Sequence, residues 1–298
     1  MAISGNDAAG SKLGCAVRQR SPAYTHGMAL IAVLWLVAAL SIMVGGLSTS
    51  IRQESRTISA KRELVTAQAI GDAVVQLALQ KLRAADRAPD RWMQAKLAFE
   101  GQELAVQVTP LNGLIDLNRA EAPLLSRLFA VAGGLPPDGA QALAQAIVDK
   151  RQARDSQGGL MRFEAEEDLL QVSGVSYDLY ARLAPLVTLE GRGSSRVNAN
   201  AAPLPVLVVL ANGDQRVAEA IHAKRLAGDV GIDTSGLDPS LTDNSSSTRV
   251  RVTALVPIDS GKVVHVSRSV DLMTAAADGT PWSTYRVSTS IQAAASEN

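Results

Sequence analysis

The chain has 298 residues, with 29 basic side chains set against 29 acidic ones and a formal net charge of zero. Such a balance argues against a general nucleic-acid surface, which carries a distinct basic excess. The length accommodates a membrane segment plus one large or two small domains, and the single cysteine, Cys15, excludes an internal disulfide.

Residues 1–27 are polar, carry Lys12, Arg18, Arg20 and His26, and end in Thr25-His26-Gly27. Met28 to Leu47 is then almost wholly apolar: Ser41 is its only hydroxyl, and no Asp, Glu, Lys or Arg lies between Arg20 and Arg52. At helical rise about twenty such residues span roughly 30 Å, the hydrocarbon thickness of a bilayer. Only a helix satisfies its own backbone there, so residues 28–48 are expected to form a transmembrane helix. A buried core helix is the alternative, although it rarely runs so far without a polar stripe. Ala38-Ala39 also imitates a secretory cleavage site, which would leave a secreted protein, a hydrolase for instance, starting near Ser41. The basic leader favours a cytoplasmic N-terminus with the bulk of the chain on the far side of the membrane. Arg52, Arg56, Lys61 and Arg62 beyond the span weaken that bias, but Glu54 and Glu63 are interspersed among them.

No proline occurs between Pro22 and Pro89, so one very long helix is expected, continuing over residues 49–88 with Gly45-Gly46 as its soft point. Ile51, Ile58 and Val65 recur every seven residues as a narrow seam. Further on Val74, Ala78 and Leu82 form one row, with Val75 and Leu79 beside it. The widening apolar face predicts docking onto a globular body only in the later half.

Residues 89–117 read as the first strands of a sheet. Leu104, Val106 and Val108 alternate with Gln107 and Thr109, Asn112-Gly113 supplies a hairpin signal, and Leu114 to Leu117 reads as the return strand. A repeat follows over residues 118–227 and the strand before it. Ile115-Asp-Leu-Asn118-Arg-Ala120-Glu-Ala-Pro123 aligns without gaps on Val197-Asn-Ala-Asn200-Ala-Ala202-Pro-Leu-Pro205, and Ala144 to Arg151 aligns on Ala218 to Arg225. Two matching pairs in the same order imply a duplicated helical unit, with Asn118 and Asn200 placed to cap the helices that follow. Between the pairs, Phe163 to Pro185 reads as a helix, a hairpin at Ser173-Gly174 and a second helix. Residues 228–248 are loop-like, and residues 249–298 return to strand. Arg249–Val256 and Lys262–Leu272 alternate, and Tyr285–Val287 is a short last strand. Three histidines, His26, His222 and His265, are scattered, and no zinc-protease helix, phosphate loop or nucleophile elbow is present. No enzymatic activity is expected.

A basic leader, a Gly, and an apolar helix running into an amphipathic one resemble the N-terminus of type IV pilins and pseudopilins. That resemblance implies a cut by prepilin peptidase between Gly27 and Met28, and methylation of the new amine on Met28. Pilin-like subunits usually carry Glu as the fifth mature residue, where this chain has Ala32. Its absence, together with Asn112-Gly113, Ile115-Asp-Leu-Asn118, the Phe163–Pro185 hairpin and Val197-Asn-Ala-Asn200, resembles the protein K family of type II secretion, the large minor pseudopilins. The resemblance implies an α+β fold in which a long N-terminal helix packs on an antiparallel sheet carrying a large duplicated all-α insert. It implies an inner-membrane, single-pass protein with a periplasmic C-terminal domain, whose partners are other minor pseudopilins, the major pseudopilin and the peptidase. Members of the family often bind calcium through an acidic loop. Here Asp149 to Glu164 is short and contains Arg151, Arg154 and Arg162, so neither metal nor cofactor is expected. The rival is a membrane-anchored helix-hairpin-helix receptor for DNA outside the cytoplasm, disfavoured by the hairpin's single glycine.

Overall fold

The computed structural model describes residues 25–85, 89–154, 158–191, 194–229, 231–259 and 261–293; within the first helix it describes the side chains of 30–41, 43 and 57 onward. Residues 1–24, with Cys15 and most of the expected leader, lie outside them. The chain divides into two compact units, Met1–Ala60 and Lys61–Asn298.

Helix α1, Thr25–Ala84, is 60 residues long and stays helical through Gly45-Gly46. In the first unit every described side chain from residue 30 to 41 is exposed, Leu30 and Trp35 to more than 70%. Part of the expected span (28, 29, 42 and 44–48) falls outside the described side chains. Among the described residues no helix is long and apolar enough to cross a membrane.

In the second unit the last turns of α1 lie on a five-stranded antiparallel sheet. Its strands are β1 (Met93–Phe99), β2 (Gln102–Pro110), β7 (Arg249–Ile258), β8 (Lys262–Asp271) and β9 (Ser283–Ala293), adjacent in that order. Val74, Val75, Ala78 and Leu79 of α1 bury against Leu104, Val106 and Val108 of β2 and Val250, Val252 and Ala254 of β7. Ala67 meets Val256, Val264 and Val266. The period-2 alternation seen in the sequence is this one-sided burial, and the wide apolar stripe on the helix is its other half.

The hairpin is not where Asn112-Gly113 suggested. β1 and β2 are joined by Glu100-Gly101, both at positive φ (49° and 79°), the backbone a two-residue hairpin demands. Asn112 and Gly113 instead lie in a short 3-10 turn, Leu111–Gly113. The residues after it form β3 (Ile115–Asp116), which pairs in parallel with β4 (Val187–Thr188) and not back onto β2. Gly113 is there for close approach, because a Cβ would stand 2.1 Å from the backbone oxygen of Ala201. Gly113→Ala is expected to destabilise the chain by about 3 kcal/mol, the upper part of the overpacking range, because backbone and not a flexible side chain must move. Denaturant unfolding of the full chain in detergent checks it.

Between β2 and β7 the chain builds an all-α block around Leu125, Leu128, Phe129, Ile147, Leu183 and Leu207. Its helices are α2 (Ala122–Val131), α3 (Pro137–Gln152), α4 (Tyr177–Leu183), α5 (Leu204–Leu210) and α6 (Gln215–Leu226). The expected helical hairpin is a 3-10 turn, Glu166–Gln171, joined to α4 through Gly174 at φ 95°. The duplication is visible in the backbone. β3, α2 and α3 close on β4, and β5 (Val197–Asn198), α5 and α6 close on β6 (Thr242–Asp243); both bridges are parallel. The fold is therefore α+β and pilin-like: a long N-terminal helix, then an antiparallel sheet with an inserted all-α block. The last strand, expected only at Tyr285–Val287, runs eleven residues.

Candidate functional site

Gly27 and Met28 lie in the first turns of α1, with side chains outside those described; Ala32 is on the same helix and exposed.

Polar chemistry concentrates instead at one turn that the duplication has made twice. In the first copy Asp116 Oδ1 accepts from the backbone N–H of Asn118 at 2.8 Å; in the second, Asn198 Oδ1 accepts from the N–H of Asn200 at 2.9 Å. These Asx turns expose carbonyls that an arginine, half-buried in the first copy and buried in the second, then satisfies. Arg151 donates to the carbonyls of Leu117 (3.0 Å) and Ala120 (2.9 Å). Its repeat partner Arg225 donates to those of Asn200 (3.0 Å) and Ala202 (2.6 Å). Burial lowers the pKa of both, that of Arg225 to about 10. Asn118 and Asn200 were expected to cap the next helices, yet those N-caps are Glu121 and Pro203. A proline in the first turn of each helix already sets the local φ and lacks a donor to be capped.

Freed from capping, the two asparagines differ. Asn118 reads a peptide group: its Nδ2 donates to the carbonyl of Phe163 at 3.0 Å and its Oδ1 accepts from the N–H of Phe163 at 2.9 Å. Asn200 is half-buried and lines an open cleft of about 590 Å³ with Asn198, Arg225, Asp229 and Ser245. The back wall is fixed by Asn112 and Asn198, both donating to the Ser245 carbonyl. A neighbouring aromatic stack supports Arg225, with Trp92 4.7 Å from His222 and the guanidinium 5.6 Å from the Trp92 ring. The corresponding hollow in the first copy, beside Asn118 and Arg151, is about 220 Å³.

The other charged centre joins the helical block to the sheet. Glu166, 5% exposed, meets Arg251 of β7 and Arg286 of β9, each at 3.0 Å. Burial raises the Glu166 pKa and the two guanidiniums oppose the rise. Arg249 adds ion pairs to Glu190 and Asp271. Sequence reading passed over these arginines because their partners are 85 and 59 residues away. Among the described residues no group of three or more His, Cys, Asp or Glu side chains is arranged to hold a metal ion. Glu164, Glu166, Glu167 and Asp168 are spent otherwise: Asp168 Oδ2 accepts from the N–H groups of Glu164 and Ala165 and opens the 3-10 turn.

A long apolar-to-amphipathic helix, an antiparallel sheet on its later half and a helical insert between two adjacent strands define the pilin-like class. No family model and no curated protein matches the chain. Among solved structures it is similar to the GspK-GspI-GspJ complex of the enterotoxigenic Escherichia coli Type 2 Secretion System. The match has 13% identity and a TM-score of 0.46, and it covers 80% of this chain and 99% of the matched chain.

Proposed function

We propose that the chain is a membrane-anchored minor pseudopilin of a type II secretion system, a non-catalytic assembly subunit at the tip of the pseudopilus. The observation that carries this reading is helix α1. One unbroken helix presents Leu30, Ile31, Leu34 and Trp35 to solvent and buries Val74, Val75 and Leu79 under a sheet. An exposed apolar face of that kind needs lipid or other helices to cover it. Before assembly the helix anchors the protein in the inner membrane, with the sheet and helical block in the periplasm. After prepilin peptidase cuts between Gly27 and Met28 and Met28 is methylated, the same face packs against other minor pseudopilins. The helical block limits stacking above the subunit, so it initiates or caps the fibre, and the major pseudopilin extends below it.

Mass spectrometry of the N-terminal peptide tests the reading. The mature chain is expected to begin at a methylated Met28, whereas a start near Ser41 would mean the helix is lost on export and the proposal fails. Immunogold labelling is expected at fibre ends; label along the shaft would refute the tip role. The DNA-receptor alternative gains nothing from the geometry, since the carboxylates that the start of the hairpin exposes are Glu164 and Glu167, which repel a phosphate backbone.

A further inference from the structure

The two copies share the Asx bond and an arginine on the matching Ala120 and Ala202 carbonyls; they differ in the second arginine contact, Leu117 against Asn200, and in what faces the second asparagine. In the first copy the chain's own backbone, at Phe163, occupies the place opposite Asn118 with one N–H and one carbonyl. In the second copy the same turn, the same arginine and the same carboxamide border an open cleft of about 590 Å³. Among the described residues no hydrogen bond involves the Asn200 side chain, although its backbone N–H and carbonyl are both engaged. Arg225, 7% exposed and lining that cleft, also keeps a buried Nε with no partner among them.

We infer that the cleft at Asn200 is a binding site for an extended polypeptide segment, whose peptide group pairs with the Asn200 carboxamide as Phe163 pairs with Asn118. A carboxamide offers one donor and one acceptor side by side, the complement of a peptide's carbonyl and N–H. It therefore reads backbone and not sequence, in the manner of strand addition. The first copy shows that this turn holds a peptide in that way, and its ligand is tethered 45 residues along the same chain. The second copy has kept the reader and presents it to solvent. The cleft's volume falls within the usual range of about 300–1,000 Å³ for ligand sites, and Asn198, Asn200, Arg225 and Ser245 place polar groups along its wall. The site belongs to the second repeat alone and holds whether or not the chain works in secretion.

The test uses the full chain in detergent micelles and two probes. One is the blocked hexapeptide of residues 160–165, acetyl-Leu-Met-Arg-Phe-Glu-Ala-amide; the other is a pool of blocked random tetrapeptides. At least one probe is expected to shift the side-chain amide resonance of Asn200 in a saturable way. Affinity for the hexapeptide or the best pool member should fall at least tenfold in Asn200→Ala. It should fall similarly when the central N–H of the probe is methylated, a change that leaves the protein untouched. Asn118→Ala removes the internal contact and should leave probe affinity at Asn200 unchanged. A resonance that neither probe moves, or an affinity indifferent to Asn200→Ala or to N-methylation, overturns the site.

Discussion

Glu166→Ala is expected to destabilise the chain by about 3–5 kcal/mol, the range for removing one partner of a buried pair. The alanine leaves Arg251, only 14% exposed, without a carboxylate, while Arg286, 26% exposed, keeps its pair with Glu167 at 3.0 Å. Arg251 retains its bonds to the carbonyls of Pro185 and Val187, which hold the guanidinium in place and do not neutralise it. The loss should be nearly the same in low and high salt, because buried pairs are poorly screened. Glu166→Gln keeps an acceptor oxygen and should fall between parent and alanine. Combining Glu166→Ala with Arg251→Met removes the stranded charge and should recover much of the stability, since apolar replacements of buried pairs are often tolerated. Denaturant unfolding of the three variants measures this. An alanine variant within about 1 kcal/mol of the parent would mean the pair is solvated and the block is held to the sheet by packing alone.

Asp116→Asn should raise stability at neutral pH by about 1–3 kcal/mol, since a tenfold difference in proton affinity between folded and unfolded chain is worth about 1.4 kcal/mol. Asp116 is 7% exposed, its Oδ2 has no hydrogen-bond partner among the described residues, and Arg119 Nε lies 3.8 Å away. Burial pushes its pKa up to about 6 from 3.8, against the opposing pull of the Asn118 N–H, Arg119 and Arg151. A carboxyl whose folded pKa is raised holds its proton more tightly in the native state. Its contribution is therefore complete below about pH 4 and lost as pH rises through about 6. Asparagine cannot ionise and keeps the Oδ1 that accepts from residue 118, and it is already the residue at the equivalent position, Asn198. Glu166 moves in the same direction, so the comparison of parent and variant from acid to neutral pH is what isolates Asp116. The stability gain from the substitution should be smallest at about pH 4 and largest at about pH 7; a gain flat across that range would refute the assignment.

Strands β2, β7 and β8 were legible because each buries one face on α1 and leaves the other half-covered, which writes a period of two into the residues. β1 was not, since it is an edge strand with only Leu97 fully buried, and β9, almost wholly exposed, showed only part of its first half. Asn112-Gly113 misled because a local turn signal was outweighed by a tertiary demand, the approach of Ala201. The duplicated block was readable from its aligned residues, including the Lys-Arg pairs at 150–151 and 224–225. What Arg151 and Arg225 do was not, because their carbonyl partners are positioned by folding and leave no mark at fixed spacing. The Asx turns did leave one: Asp116-x-Asn118 and Asn198-x-Asn200 share a polar residue two places ahead of the asparagine.

Pro110 and Val250 stand side by side at the end of the β2–β7 ladder, so the entire helical block leaves the sheet and rejoins it at adjoining residues. The closure entropy of such an excursion grows only as the logarithm of its length. Additional turns, or whole further copies of the duplicated module, can thus be grafted at that gate while the strands keep their register. The sheet and the long helix are free to stay constant while the graft is the part that diversifies.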